Sequence, residues 1–272
     1  MRTGRTGAVT VTATALAGAL AFMAFAAPAA QAADTGITVT GMVVNKGKPI
    51  VVGISERKFP SVTFRVTWPA GHTPSTMDAN PYLYHDTTAA KGAAYGGIYL
   101  GSVTLYDDSP TSADCEGDLF IDPPYTLDSN NDATTWKIGV VARLWDKTGT
   151  KLQAQEHLTG FGSVQVKRAA RATVNASPEP VAKGKAITVT GRATRADWVK
   201  HAYVGYADKL AKLQFRKAGT STYQTVKYVR TNSTGYLKTT VTASADGYWR
   251  WSYGETSTTG GATAKSDYVD VV

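Results

Sequence analysis

The chain has 272 residues, 43% of them apolar and 18% charged, a net charge of +8 and a single cysteine, Cys115. One cysteine excludes an intramolecular disulfide, so the fold must be held by core burial, and no apolar run beyond residue 32 is long enough to span a bilayer. The charge is uneven: residues 34–168 carry 12 Lys and Arg against 14 Asp and Glu, whereas residues 169–272 carry 15 against 7, so only the second half is basic.

In chain order, Arg2 and Arg5 precede an Ala-rich apolar run and the small-residue triplet Ala30-Gln31-Ala32. This is the pattern of a cleaved signal peptide over residues 1–32, which predicts a secreted, extracellular protein. About 240 residues follow, enough for two domains of about 100 to 150 residues each. Ile37 to Thr40 with Met42 to Val44, then Pro49 to Val52, read as strands. From Ser61 to Trp68 the residues alternate, with Val62, Phe64, Val66 and Trp68 on one face, which predicts a half-buried antiparallel strand. Residues 69–97 have no sustained period and read as a long loop carrying at most a short turn of helix. Strand character returns at Tyr99 to Tyr106, Asp118 to Ile121 and Trp136 to Leu144, and Lys151 to Gln155 with Ser163 to Lys167 closes the half. Residues 33–168 are thus expected to form an N-terminal β-sandwich domain.

The basic stretch Lys167-Arg-Ala-Ala-Arg171 has no large apolar residue and reads as the junction between domains. Seven strands are expected after it: Ala172 to Asn175, Ala186 to Thr190, Ala211 to Phe215, Thr222 to Val229, Tyr236 to Ala243, Gly247 to Tyr253 and Ser266 to Val272. That count over about 100 residues predicts an Ig-like sandwich over residues 172–272. In Gly247 to Tyr253 the residues Trp249, Trp251 and Tyr253 share one face, and Tyr248, Arg250 and Ser252 the other. So heavy an apolar face marks a central strand, and its opposite face meets water or a partner. The expected fold class is all-β, two tandem β-sandwich domains with the C-terminal one Ig-like.

Gly184-Lys-Ala-Ile187-Thr-Val189-Thr-Gly191 resembles the second strand of immunoglobulin domains, with Gly191 where the cysteine would stand. Trp251 occupies the approximate place of the second cysteine, so the resemblance implies an indole set against a glycine where those domains have a disulfide. Four stretches, Asn175 to Lys185, Thr190 to Trp198, Leu213 to Arg216 and Asp246 to Arg250, closely resemble a family of secreted actinobacterial proteins ending in an Ig-like module. The likeness covers residues 172–272 well and 37–168 more loosely, where relatives carry paired cysteines. Some members are labelled calcium-binding protein, and no catalytic residues come with the resemblance.

His72, His85, His157 and His201 are isolated, with no metal-ligand spacing, and no nucleophile turn or phosphate-cradling loop is present. Between Gly92 and Trp136 there is no Lys or Arg but there are eight acidic residues, from Asp107 to Asp132. Within it Asp128, Asn130 and Asp132 offer oxygens at alternate positions, as a calcium loop begins, but Ala133 and Gly139 stand where an EF-hand needs Gly and Glu. A looser calcium cage and a solvated acidic surface both remain open. Between Arg195 and Leu210 the chain holds Trp198, Tyr203 and Tyr206 beside Lys200 and Lys209. Such rings and cations either stack and attract an anionic wall polymer or polysaccharide, or fold inward as a lid on the sandwich. Nucleic acid is a poor match, because the positive charge is spread over strands and turns. The reading is a non-catalytic secreted binding or adhesive protein. Its rivals are an extracellular calcium-binding protein using residues 107–132, and an enzyme with its site in the N-terminal half.

Overall fold

The computed structural model describes residues 34–272, so the expected signal peptide lies outside the described residues. The first half contains β1 (Thr38–Val44), β2 (Ile50–Val52), β3 (Ser61–Thr67), β4 (Met77–Tyr84), α1 (Ala89–Ala94), β5 (Ile98–Ser109), β6 (Ser112–Leu119), α2 (Pro123–Thr126), β7 (Thr135–Trp145), β8 (Leu152–Leu158) and β9 (Ser163–Arg168). The strands are hydrogen-bonded in the order β1-β3-β6-β5-β4-β7-β9-β2, and β8 also pairs with β7. The chain turns from one layer to the other at the start of β5, where only Tyr99 and Ile98 pair with Tyr82 and Leu83 of β4. Val62, Phe64 and Val66 of β3 and Trp136, Ile138 and Val140 of β7 belong to one buried cluster between the layers. Both strands bury the face that their alternation predicts.

β4 was not expected, since it lies within residues 69–97, read as loop. Asp78, Asn80 and Pro81 break the apolar alternation, yet β4 pairs with β7 over its whole length. Because β5 joins β4 only from Tyr82 onward, β4 is a bare edge at Pro81, where a missing N–H is tolerated. The short helix α1 covers the outer face of β4: the Tyr82 hydroxyl donates to the Ala89 carbonyl at 2.9 Å, and Ala89 and Ala93 pack on Tyr82, Tyr84 and Val141. Gly92 is required there, since a Cβ would stand 2.3 Å from Tyr84 Cβ. β6 likewise begins six residues before the predicted strand at Asp118. Its inward residues Ala113, Cys115 and Leu119 are buried, and its acidic Asp114 and Glu116 are exposed.

The second half comprises β10 (Ala170–Ser177), β11 (Ala186–Asp197), β12 (Ala202–Gly205), β13 (Leu210–Lys217), β14 (Gln224–Arg230), β15 (Tyr236–Thr242), β16 (Gly247–Tyr253), β17 (Ala262–Thr263) and β18 (Asp267–Val269). One antiparallel sheet runs β10-β11-β12 with β15 also on β11, and the facing sheet runs β14-β13-β16 with β17 and β18 on β16. The protein is therefore all-β, built as tandem β-sandwiches with Ig-like character. As predicted, β16 is internal to its sheet and buries Trp249, Trp251 and Tyr253 while Tyr248, Arg250 and Ser252 face outward, half-exposed. The expected meeting of Trp251 and Gly191 is also present. A Cβ on Gly191 would lie 2.5 Å from Trp251 Cδ1, and the indole N–H donates to the Thr190 carbonyl at 3.0 Å.

The described residues, 34–272, form one compact unit. Only Ala169 separates β9 from β10, and the stretch read as a junction begins buried: Lys167 and Arg168 are each 6% exposed. The Ala169 N–H donates to the Val52 carbonyl at 2.8 Å, and the Ala196 N–H to the Ala169 carbonyl at 2.8 Å. Arg168 pairs with Thr259 of the second half across an isolated bridge.

Candidate functional site

Of the residues singled out between Arg195 and Leu210, Trp198 and Tyr203 pack against the N-terminal core and so tie the two sandwiches together, whereas Tyr206 packs into the core of its own sandwich. β11 runs on to Asp197 and β12 occupies 202–205, so half of this stretch is strand. Trp198 has no exposed surface and belongs to the N-terminal core cluster, with its indole N–H donating to the Gly53 carbonyl at 2.9 Å. It is unavailable to a ligand, which corrects the stacking role considered for it. Tyr206 is 9% exposed, edge-on to Tyr253 with ring centres 6.1 Å apart, and Lys209 Nζ lies 5.4 Å from its ring. Tyr203 is half-buried against the first core, and the Arg171 guanidinium covers its face at 3.6 Å. Of the five residues only Lys200 is exposed, and its backbone N–H is tied to Asp197 Oδ1 at 3.0 Å.

The acidic loop is drawn into the same joint. Asn130 Oδ1 accepts the Trp198 backbone N–H at 3.0 Å, and its Nδ2 donates to Asp197 Oδ1 at 3.1 Å. Asp132 caps the short turn by accepting the Ser129 N–H at 3.0 Å and lies 3.4 Å from His85 Nε2. Burial pushes the Asp132 carboxyl above its ordinary range, only partly offset by that hydrogen bond and by His85. For Asp197, burial is outweighed by the Asn130 and Lys200 hydrogen bonds and the charge of Arg168, so its pKa falls. The oxygens of Asn130 and Asp132 thus bind protein donors. Among the described residues no three His, Cys, Asp or Glu side chains are grouped to hold a metal ion.

The second sandwich instead presents cations and rings on the outward face of β13 and β16. Gln214 and Arg216 face Arg250 and Tyr248 across the strand pair. Arg250 Cζ lies 3.5 Å from the centre of the Tyr223 ring, and Arg216 Cζ lies 5.4 Å from Tyr223 and 4.0 Å from Tyr248. Tyr268 of β18 continues the row, its ring centre 5.1 Å from that of Tyr248. Arg250 Nε donates to Gln214 Oε1 at 2.9 Å, which fixes the guanidinium in place. Exposed Lys212 extends the face toward Tyr228, opposite it in β14. Burial resists ionisation of the Tyr223 phenol, but the Ser266 hydroxyl and the charges of Arg216 and Arg250 outweigh it and lower its pKa. The two guanidinium groups thus share with the Ser266 hydroxyl in favouring the ionised phenol. The alternation of β16 had placed Tyr248, Arg250 and Ser252 on the outward side. What the sequence could not supply was the partner strand: β13 contributes Arg216 only once its register with β16 is known.

No family model matches the chain, and no curated protein is similar to it. Among solved structures, the full ectodomain of mouse nectin-like molecule 4 is similar at 11% identity and a TM-score of 0.25, over 87% of this chain and 64% of that one. The Yersinia pseudotuberculosis adhesin InvE is similar at 12% identity and a TM-score of 0.28, over 86% and 60%, and the D00-D0 domain of intimin at 14% and 0.27, over 86% and 98%. The chain thus spans less than two thirds of the nectin-like and InvE chains. Among the described residues no helix is long and apolar enough to cross a membrane.

Proposed function

We propose that the protein is a secreted, non-catalytic binding protein that attaches to anionic cell-wall polymers or extracellular glycans through the outward face of β13 and β16. The observation that carries this reading is the row Tyr268, Tyr248, Arg216, Tyr223 and Arg250, in which three rings and two guanidinium groups pack against one another. Guanidinium forks match carboxylate and phosphate groups, and stacking on tyrosine rings holds them at low entropic cost. The long-range field of the basic half brings a polyanion close, and the row supplies the short-range contacts that a diffuse field lacks.

Co-sedimentation with purified cell wall and with alginate, at low and high salt, tests the reading. The variant Arg216→Ala with Arg250→Ala should lose retention well beyond the charge-matched variant Lys183→Ala with Lys238→Ala, whose lysines are exposed elsewhere in the same sandwich. Equal loss by the two variants would reduce the interaction to unspecific attraction, and indifference to both would remove the site.

A further inference from the structure

The N-terminal sandwich carries a cleft of roughly 630 Å³, away from the basic face and unused by the proposed function. Phe59 comes to it from the loop before β3, Tyr99 from β5, Phe120 from just after β6 and Tyr125 from α2. These rings are open to solvent: Tyr125 is 87% exposed, Phe59 60%, Tyr99 40% and Phe120 36%. The Phe59 and Phe120 rings lie 5.6 Å apart at 52°, forming two inclined walls. Tyr99 is held by its hydroxyl, which accepts the Gly97 N–H at 3.1 Å and donates to the Gly92 carbonyl at 3.2 Å. Beside Phe120 stands an ion pair: Arg57 Nε donates to Asp122 Oδ2 at 2.8 Å, and the guanidinium lies 5.8 Å from the Phe120 ring.

The volume falls within the range of small-ligand sites. Its chemistry narrows the ligand. None of the ten residues lining the cleft is charged, which gives a polyanion nothing to pair with. Leu100 is the one branched aliphatic among them, so an acyl chain or an aliphatic peptide would meet rings and glycines and little complementary packing. A sugar ring has the opposite character, with C–H faces that lie flat on an aromatic ring and hydroxyls around its edge. The hydroxyls of Ser102 and Thr126 in the lining, and the Arg57–Asp122 pair at the border, offer the donors and acceptors that such an edge needs. We propose that this cleft binds a segment of an uncharged polysaccharide, stacked on Phe59, Phe120 and Tyr125. The protein would then hold two kinds of polymer, one on each sandwich.

Depletion of the protein by insoluble cellulose, curdlan and chitin, at about 0.15 M and 1 M salt, separates this site from the basic face. Retention on at least one of the three is expected, unchanged by salt and unchanged by Arg216→Ala with Arg250→Ala. Tyr125→Ala and Phe59→Ala should each weaken it by roughly tenfold. Both rings are exposed, so neither change should move the melting temperature, and a melt of each variant verifies this. Retention on none of the three polymers, or retention that survives both ring substitutions, would overturn the proposal. So would retention that salt or the arginine variant abolishes, or partition onto phosphatidylcholine vesicles in place of the polysaccharides.

Discussion

Truncating Trp251 to Ala should cost about 3 to 5 kcal/mol, because the side chain is wholly buried and the backbone across from it has no side chain to collapse into the space. The indole lies against Gly191, where even a methyl group would come within 2.5 Å of Cδ1, and its N–H satisfies the Thr190 carbonyl. In a unit of this size each kcal/mol moves the melting temperature by about 2 to 4 °C, which predicts a fall of roughly 6 to 20 °C. The reverse change, Gly191→Ala, sets a methyl 2.5 Å from Cδ1 and 2.4 Å from the Thr173 carbonyl. Neither neighbour is the end of a flexible chain, so overpacking should cost about 1 to 3 kcal/mol. In the double variant the methyl no longer meets the indole, so the combined loss should be smaller than the sum of the two. Thermal melts followed by circular dichroism, with guanidinium titrations beside them, give all four corners of the cycle. A Trp251→Ala melt within about 2 °C of the parent, or strict additivity, would refute the idea that this indole and this glycine close the sandwich.

Trp198→Ala removes a side chain that one sandwich donates to the other's core, and a loss of about 3 to 5 kcal/mol should appear as a single thermal transition splitting into two; one unshifted transition would contradict the joint. Asp197 has a lowered pKa in the folded protein, so its stabilising effect is present above the ordinary carboxylate range and is lost as pH falls through the depressed value. Asp197→Asn should therefore flatten the acid limb of stability below about pH 4, and an unchanged limb would count against the Asn130–Asp197 contact. Millimolar calcium should leave the melt where a chelator leaves it, because the Asn130 and Asp132 oxygens already accept or face protein groups. A rise of several degrees with calcium would restore the ion-binding reading.

Where the fold was legible, one face of a strand carried the information alone. Trp136, Ile138 and Val140 in β7 and Trp249, Trp251 and Tyr253 in β16 are apolar at every second position, and both strands bury that face. β4 was illegible because its evidence lies in its neighbours. Pro81 and Asn80 argue against a strand locally, but pairing with β7 and the cover of α1 decide the matter. The acidic segment was ambiguous for a related reason. Asp114 and Glu116 in β6 are the solvent side of a strand whose other side buries Ala113 and Cys115, and a run of acids separated by small residues resembles a ligand loop as much as the outer face of an internal strand.

The joint was the hardest feature to read, and it changes what the charge count means. Lys167 to Arg171 has small residues between cations, which from sequence describes a solvated linker. Small residues also let backbones approach closely, and here the Ala196 N–H donates to the Ala169 carbonyl while the Ala169 N–H donates to the Val52 carbonyl. The cations that accompany them are then buried with partners: Lys167 Nζ lies 3.1 Å from Glu255 Oε2, and Arg168 Nε donates to the Ala196 carbonyl. Burial, together with the charge of Arg195, lowers the Arg168 pKa. Arg171 covers Tyr203, Arg195 covers Tyr206, and Lys209 stands between Tyr206 and Tyr253. Of the fifteen cations counted for the second half, Arg171 therefore braces the joint, and Arg195 and Lys209 are held on rings of the second sandwich's own core. A polyanion approaching the sandwich meets the lysines and arginines held elsewhere, and those set among rings at short range are Arg216 and Arg250. Net charge marks which half is basic; the register of β13 against β16 marks the face on which Arg216 and Arg250 are set among rings.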